Sequence, residues 1–410
     1  MPAPPTIAIV GRFEFPEGNA GAHRVAGLAR ALQLAGETVV MIGCERDGHE
    51  GESIGSGWFE HEGILYLPVS SASLGGQPPS HSTIETFLGS SVLARLSLLD
   101  PSTLRAVIVY NGFAGLWCRL LAFRRRFGVP LIADVTEWYD SSHYRWRSRP
   151  AYWVDSLLRM RFLHRRADAM IVISRWLAEH YSACGTPLAI VPPLIDFAEP
   201  KWASRPPKAR RFGDPIELVF VGTCGKKELL PTALRALARC VADGLTSWRL
   251  RVVGPSPEEV RECVGRDDAT LHCITDNLQV VGRVDHRSAL DYLRAADFSL
   301  VIREDRRFAK AGFPSKLAES FAAGTPVIAT PIGEARHHVV DGRTGLVSAD
   351  PSPDAVRAAL ARAITSASES VCAMRCECEA YARREFDARH YSAALTGMVE
   401  AVARGRDVRR

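Results

Sequence analysis

The stretch Lys310-Ala-Gly-Phe-Pro-Ser-Lys-Leu-Ala-Glu-Ser-Phe-Ala-Ala-Gly-Thr-Pro-Val-Ile-Ala329 decides the fold, because a loop, a helix and a buried strand follow one another within it. Pro314 suits a first helical turn, where its missing N–H would have no partner anyway, and Gly324 stands where a helix C-terminus favours positive φ. Leu317, Ala318, Phe321 and Ala322 follow the helical repeat and are predicted to face a sheet. Lys316 and Glu319 lie three positions apart on another side, so an ammonium and a carboxylate are expected beside one pocket. Ala311, Gly312 and Phe313 form a loop into the helix start at Pro314 and Ser315, where unpaired N–H groups and the helix dipole favour an anion such as a phosphate. The combination predicts a nucleotide site.

Strand and helix alternate outward from that stretch. Upstream, apolar strands are predicted over 216–221, 248–254, 278–281 and 298–302, with helices over 229–242, 256–264 and 286–294 between them. The first of these strands runs into Gly222-Thr-Cys-Gly-Lys-Lys227, and a glycine loop carrying lysines there is a phosphate cradle: glycine admits close backbone approach and lysine supplies charge. Lys226 and Lys227 are read as lying at the helix start, where a cation opposes the macrodipole unless an anion is bound. Gly282 and Arg283 form a turn after the third strand, and Arg303 follows the fourth. Downstream come a strand over 325–329, a turn over 341–346 and helices over 353–366, 369–384 and 387–403.

The first half repeats the pattern, with strands over 6–10, 37–43, 64–69, 106–110, 129–135, 167–174 and 188–191 and helices over 20–35, 83–98, 113–127 and 175–182. The loop GRFEFPEGNAGAHR lacks the G-x-G-x-x-G spacing of a dinucleotide fold, which disfavours a dehydrogenase. Asn111 follows a strand end, where ligands collect in open parallel sheets. The strand over 129–135 carries Asp134 and runs into Thr136-Glu-Trp-Tyr-Asp140. A carboxylate beside aromatics suits sugar recognition, with Glu137 and Asp134 accepting hydroxyl bonds and Trp138 stacking on a ring face; the plainer alternative is a capping acid with core aromatics. The basic, aromatic run SSHYRWRSRPAYW suits a lipid-linked or glycan acceptor, or a packed surface loop. Residues 196–214, rich in Pro, Lys and Arg, are the expected linker between domains over 1–195 and 215–385, with 386–410 closing as a helix.

With 410 residues and 47% hydrophobic content the chain is long enough for two domains. It has no apolar run of transmembrane length, and MPAPPTIAIVG enters a strand without the regions of a signal peptide, so a cytoplasmic protein is expected. A formal charge of +5 does not argue for nucleic acid, but it suits an anionic substrate or a loose peripheral contact with an acidic membrane surface. The ten cysteines are scattered, and the spacing of Cys372, Cys376 and Cys378 matches no common zinc pattern, so free thiols and no metal are expected.

These motifs together resemble the retaining nucleotide-sugar glycosyltransferases of family 4. AGFPSKLAES resembles that family's donor-binding segment, in which a loop of small residues runs into a helix whose Glu grips the ribose hydroxyls, and this places that role on Glu319. Members often carry a second, earlier Glu; Ala311 stands there in this chain, so the role toward the transferred sugar is vacant or filled from elsewhere. VFVGTCGKKELLPTAL resembles the family's diphosphate loop and sets Lys227, with Lys226, against the leaving diphosphate. The resemblance implies a donor site lined by Gly222, Gly282, Arg283, Gly312, Phe313, Pro314, Ser315 and Lys316, with Lys227, Glu319 and Arg303 as its catalytic set, Arg303 either neutralising phosphate or reaching the acceptor. It also implies that Gly18, Gly21 and Arg24 lie where donor phosphate and acceptor meet, and that DVTEWYD, with Asn111 nearby, belongs to the acceptor side.

The fold implied is α/β of the GT-B kind: two Rossmann-like doubly wound parallel sheets facing a central cleft. The implied reaction moves a sugar from a nucleotide diphosphate sugar, UDP-sugar first, to a hydroxyl or amine of a glycan, lipid-linked or small-molecule acceptor. Configuration is retained, with no metal and no further cofactor. Two rival classes stay open: a nucleotide-sugar epimerase of the same architecture, and an inactive nucleotide-sugar-binding partner subunit.

Overall fold

The computed structural model describes residues 5–16, 20–44, 52–55, 57–69, 89–138, 149–203, 213–225, 227–265 and 269–407. The chain divides into two compact units, Met1–Asp196 with Ala388–Arg410, and Phe197–Asp387. Each is built on its own sheet.

The sheet of the first unit comprises β1 (Thr6–Phe13), β2 (Thr38–Cys44), β3 (Glu52–Gly55), β4 (Trp58–His61), β5 (Ile64–Pro68), β6 (Leu104–Tyr110), β7 (Leu131–Val135), β8 (Ala169–Val172) and β9 (Leu188–Ile190). Their order is β3-β4-β5-β2-β1-β6-β7-β8-β9. From β5 to β9 every pairing is parallel, whereas β3 and β4 add antiparallel strands at one edge. The sheet is therefore mixed, where the sequence predicts only parallel strands; two four-residue strands are too short for their periodicity to declare itself. The helices are α1 (Ala20–Leu34), α2 (Ser90–Leu96), α3 (Ala114–Phe127), α4 (Arg149–Leu158) and α5 (Arg175–Tyr181). The loop expected over 70–81 and the start of the helix expected at 83 lie outside the described residues.

Helix α4, continued by a π turn over Arg159–Leu163, replaces the latter part of the run that the sequence leaves as a loop. Asp155 explains its position. That buried carboxylate accepts the N–H of Ala114 at 2.7 Å, capping α3 from a distance, and binds Arg159 at 2.7 Å.

Arg24 on α1 needs a correction. Only 4% exposed, it donates to the two Asp134 oxygens at 2.8 and 3.2 Å and to the carbonyls of Val191 and Pro192, each at 2.7 Å. The sequence suggests Arg24 for donor phosphate and Asp134 for the acceptor, but the two charges are buried against each other. They tie α1, the end of β7 and the chain after β9 together.

The sheet of the second unit comprises β10 (Ile216–Val221), β11 (Trp248–Val253), β12 (Leu278–Gly282), β13 (Phe298–Val301), β14 (Val327–Ala329) and β15 (Gly345–Val347). All pairings are parallel, in the order β12-β11-β10-β13-β14-β15. The chain winds outward from β10 through β12, then returns to lay β13 on β10's other side. Connections that leave β10 and β13 in opposite directions open a crevice at the carboxyl ends of these two strands. The helices are α6 (Leu230–Ala242), α7 (Pro257–Val264), α8 (Thr270–Cys273), α9 (His286–Ala295), α10 (Arg307–Ala311), α11 (Ser315–Ala322), α12 (Ala335–His338), α13 (Pro353–Ile364) and α14 (Ser368–Glu385). Arg375 of α14 donates to the carbonyls of Arg294 and Ala296 at 2.8 and 2.5 Å, satisfying the C-terminal end of α9.

Part of the expected linker packs within the second unit. The Phe197 ring lies under the Arg383 guanidinium at 4.6 Å, and Trp202 is buried, its ring edge-on to His286 at 6.2 Å. Two aromatics outweigh the Pro, Lys and Arg around them, because each buries a large apolar surface. The last helix, α15 (Arg389–Asp407), belongs to the first unit, where Leu395 and Val399 join a core that includes Ile7, Ile9, Val25 and Leu28. No helix among the described residues is long and apolar enough to cross a membrane.

Replacing Asp134 with Asn leaves the buried Arg24 guanidinium without a counter-charge, and unfolding in urea should show a loss of about 3–5 kcal/mol. Nucleotide affinity, measured by calorimetry on the folded variant, should not change; a weakened affinity at unchanged stability would return this pair to ligand binding.

Candidate active site

The site is assembled where β10 and β13 end. After Val221 the backbone turns through Gly222 at φ +150°, and a Cβ there would stand 2.9 Å from Lys316 Nζ. The positive φ strains any other residue, and a side chain would also displace the lysine's terminal amine, so glycine is favoured. Lys226 lies outside the described residues. Lys227 is half-buried in a turn, and α6 begins only at Leu230, so Lys227 precedes the first helical turn in which the sequence places it. The macrodipole argument is correspondingly weaker for it.

Glu228 is the residue that sequence reasoning missed. Buried behind the glycine loop, it accepts from Arg303 Nε at 3.1 Å and from an Arg303 terminal nitrogen at 3.0 Å through Oε1, while Lys316 Nζ stands 3.0 Å from Oε2. Lys316 Nζ also lies 4.3 Å from the centre of the Phe220 ring. Burial pushes the Glu228 carboxyl upward, but Lys316 and Arg303 outweigh it and hold the group below the usual carboxylate range. For Lys316 burial dominates and lowers the ammonium below its ordinary value, with Glu228 opposing. Thr330 Oγ1 accepts the Arg303 N–H and donates to its carbonyl, both at 2.9 Å, which fixes the arginine's backbone. With Lys316 protonated, Arg303 and Lys316 share the Glu228 carboxylate, and Glu319 adds a weaker pull on Lys316; the buried trio by itself carries one net positive charge.

Helix α11 starts from Pro314, which supplies no side-chain cap, and the N–H groups of a first helical turn have no acceptor within their own helix. Pro314 is thus the cap residue itself, not a first-turn residue. Of the loop that the sequence predicts, Ala311 instead ends α10, fully buried, whereas Gly312 and Phe313 do lie in the short connection to α11, with the Gly312 N–H donating to the Phe308 carbonyl at 3.1 Å. Phe313 is a further correction. Its ring packs against His338 and Phe386 at 5.2 and 5.8 Å, which makes it a core side chain. Lys316 and Glu319 also part company, since the lysine turns to Glu228 and Glu319 Oε1 stands 3.5 Å from His286 Nε2 at the start of α9. Glu319 is partly open. Gly282 ends β12 with its carbonyl accepting from Gly254 at 2.8 Å, and Arg283 is exposed beyond it.

In the first unit, Asn111 is buried and donates to Thr136 Oγ1 at 2.6 Å, and Gly21 is buried within α1. Glu137 and Trp138 are partly exposed after β7, with the Trp138 ring edge-on to Trp176 and His180 at 5.6 and 4.9 Å. Tyr139, Asp140 and Gly18 lie outside the described residues.

The sequence pattern of the family described as Glycosyl transferases group 1 matches residues 215–366, and that of the Glycosyl transferase 4-like domain matches residues 19–193. The chain belongs to the family 4 glycosyltransferases. It is 26% identical over 254 residues to the glycogen synthase of Mycobacterium tuberculosis (strain CDC 1551 / Oshkosh), an alignment that takes in 60% of this chain and 56% of that protein. The chain thus spans little more than half the length of that curated relative. Among solved structures, the sucrose-phosphate synthase of Thermosynechococcus elongatus superposes with a TM-score of 0.71 at 16% identity, covering 97% of this chain and 98% of that one. Anabaena HepE in complex with UDP and glucose superposes with a TM-score of 0.63 at 13% identity, covering 97% and 99%. The fold of this family 4 member is GT-B.

In this family 4 member, Glu228→Gln removes the carboxylate between two buried cations and should lower stability by about 3–5 kcal/mol at neutral pH. Because the folded pKa of Glu228 is depressed, its contribution is present above the usual carboxylate range and is lost as pH falls through the folded value. The Tm gap between wild type and variant should therefore close in acid; a gap independent of pH would contradict the assignment.

Proposed function

We propose that this chain transfers a sugar from a nucleotide diphosphate sugar, with UDP as the nucleotide, to a hydroxyl or amine acceptor with retention of configuration. The observation that carries this reading is the surplus positive charge of Arg303, Lys316 and Glu228 beside an uncapped helix start. A diphosphate is a fitting occupant: it accepts from the Ser315 and Lys316 N–H groups, and its charge is met by Lys316, Arg303 and Lys227. Membership of family 4 supports this, as does the UDP held by a protein of the same fold.

Glu319 grips the ribose hydroxyls. The bond from the anomeric carbon to the diphosphate oxygen breaks as the acceptor oxygen or nitrogen bonds to the same face, and the acceptor proton passes to the departing phosphate. Protein cations aimed at that phosphate stabilise the charge that develops on it. Arg303, held by Glu228, acts on the phosphate and not on the acceptor. Ala311 leaves the sugar without a carboxylate from α10, so sugar contacts come from other residues. In the first unit, Glu137 and Trp138, with Asn111 behind them, serve the acceptor. An epimerase would invert its donor with no acceptor present, and an inactive subunit would bind donor without turnover; neither is favoured by family membership.

Titration with UDP by calorimetry tests the donor site. Glu319→Ala removes charge-assisted bonds worth roughly 1.5–3 kcal/mol each, so affinity should fall at least about tenfold with the fold intact. Unchanged affinity would refute the ribose assignment. Lys227→Ala should lower kcat more than it raises KM, as expected of a charge that acts mainly when the diphosphate leaves; a change confined to KM would place it in ground-state binding.

A further inference from the structure

The segment 149–166 of the first unit turns its apolar side chains outward. Trp153, Val154, Leu158 and Phe162 are 57%, 46%, 41% and 54% exposed, and they make up four of the nine large hydrophobic residues exposed among the described residues. The opposite face carries Asp155, Ser156, Arg159, Met160 and Leu163, all buried. Polar groups are therefore drawn inward, to cap α3 and to form the Asp155–Arg159 pair, while large apolar groups face out. That reverses the usual arrangement of a surface helix. The π turn over Arg159–Leu163 adds to it: a wider turn winds less per residue, so Phe162 stays on the side of Val154 and Leu158 where a plain α-helix would rotate it toward the core.

The exposed charges of this segment have one sign. Arg161, Arg165 and Arg166 are exposed, and none has an ion-pair partner among the described residues. Arg124 bonds to the Arg166 carbonyl at 3.1 Å, which brings exposed Arg125 and Arg126 at the end of α3 to the same place. The acids of 149–168 are Asp155 and Asp168, and each is already paired, with Arg159 and Arg124. An apolar helix face with a tryptophan and a phenylalanine, edged by cations that lack counter-charges, matches an anionic lipid layer: rings and aliphatics enter the acyl boundary while guanidinium groups stay at headgroup level. A protein partner would need its own acids at those positions, whereas a lipid surface supplies them at every point.

We propose that the face formed by Trp153, Val154, Leu158 and Phe162 with Arg161, Arg165 and Arg166 is a membrane-surface site that takes anionic phospholipid. It rests on the first unit alone and is independent of the donor reading.

The test is co-sedimentation of the full chain with vesicles of phosphatidylcholine alone and of phosphatidylcholine mixed equally with phosphatidylglycerol. Binding is expected on the mixed vesicles, weakening with added salt, and not on phosphatidylcholine alone. Trp153→Ser and Phe162→Ser should each weaken it about tenfold or more, as for keeping one large apolar side chain out of the layer. Arg165→Glu and Arg166→Glu should each weaken it at least about fivefold. These side chains are exposed, so Tm should hold; Leu158→Gln replaces any variant whose Tm falls. No binding to either vesicle, equal binding to both, or binding untouched by every variant would overturn the proposal. So would a dimer, indifferent to vesicles, that Trp153→Ser dissociates, since the face would then join copies of the chain.

Discussion

The Glu228 carboxylate, shared between Arg303 and Lys316, is the contact on which the candidate site of the second unit depends. Two cations brought out of water repel each other and each asks for an anion. One carboxylate between them holds both side chains in place, yet it neutralises only one charge. In the proposed reading, that remainder makes the site receptive to a phosphate. A second acid in the cluster would stabilise the empty site and oppose the anion. The absence of the family's earlier glutamate at Ala311, which sits fully buried at the end of α10, is consistent with a site kept short of negative charge on that side.

Topology makes the contact possible. The glycine loop leaves β10 and Arg303 leaves β13, adjacent strands whose connections part in opposite directions, so residues distant in sequence converge in one crevice. Gly222 carries no side chain where Lys316 must pass, and Thr330 at the end of β14 fixes the arginine's backbone. The first unit uses an analogous pair differently: Arg24 and Asp134 answer each other fully, with the surplus donors of the guanidinium going to two carbonyls. That pair closes a structure, whereas the Glu228 cluster leaves an opening for charge.

Charge satisfaction also separates the two faces of the segment 149–166. Its one acid, Asp155, is paired with Arg159, whereas exposed Arg161, Arg165 and Arg166 have no ion-pair partner among the described residues, so the outer face sets positive charge beside apolar side chains. The proposed donor site and the proposed lipid face follow one rule in two settings, cations that outnumber the anions beside them among the described residues.

The sequence by itself determined the α/β class, the division into two halves, and most strands and helices of the parallel sheets, because apolar periodicity and glycine and proline punctuation are local signals. It also marked Gly222, Lys316 and Glu319 as belonging to one region. What it did not determine is who faces whom. Glu228 reads as one more polar residue before a helix, and Lys316 and Glu319, three apart on one helix, reach for different partners in α9 and the glycine loop. Arg24 and Asp134 are 110 positions apart, and nothing along the chain announces that they meet. Phe313 reads as a loop residue but fills an aromatic core. Burial and pairing of side chains follow from packing across sheets and helices, and a one-dimensional pattern records the period of an element, not the neighbour that completes it.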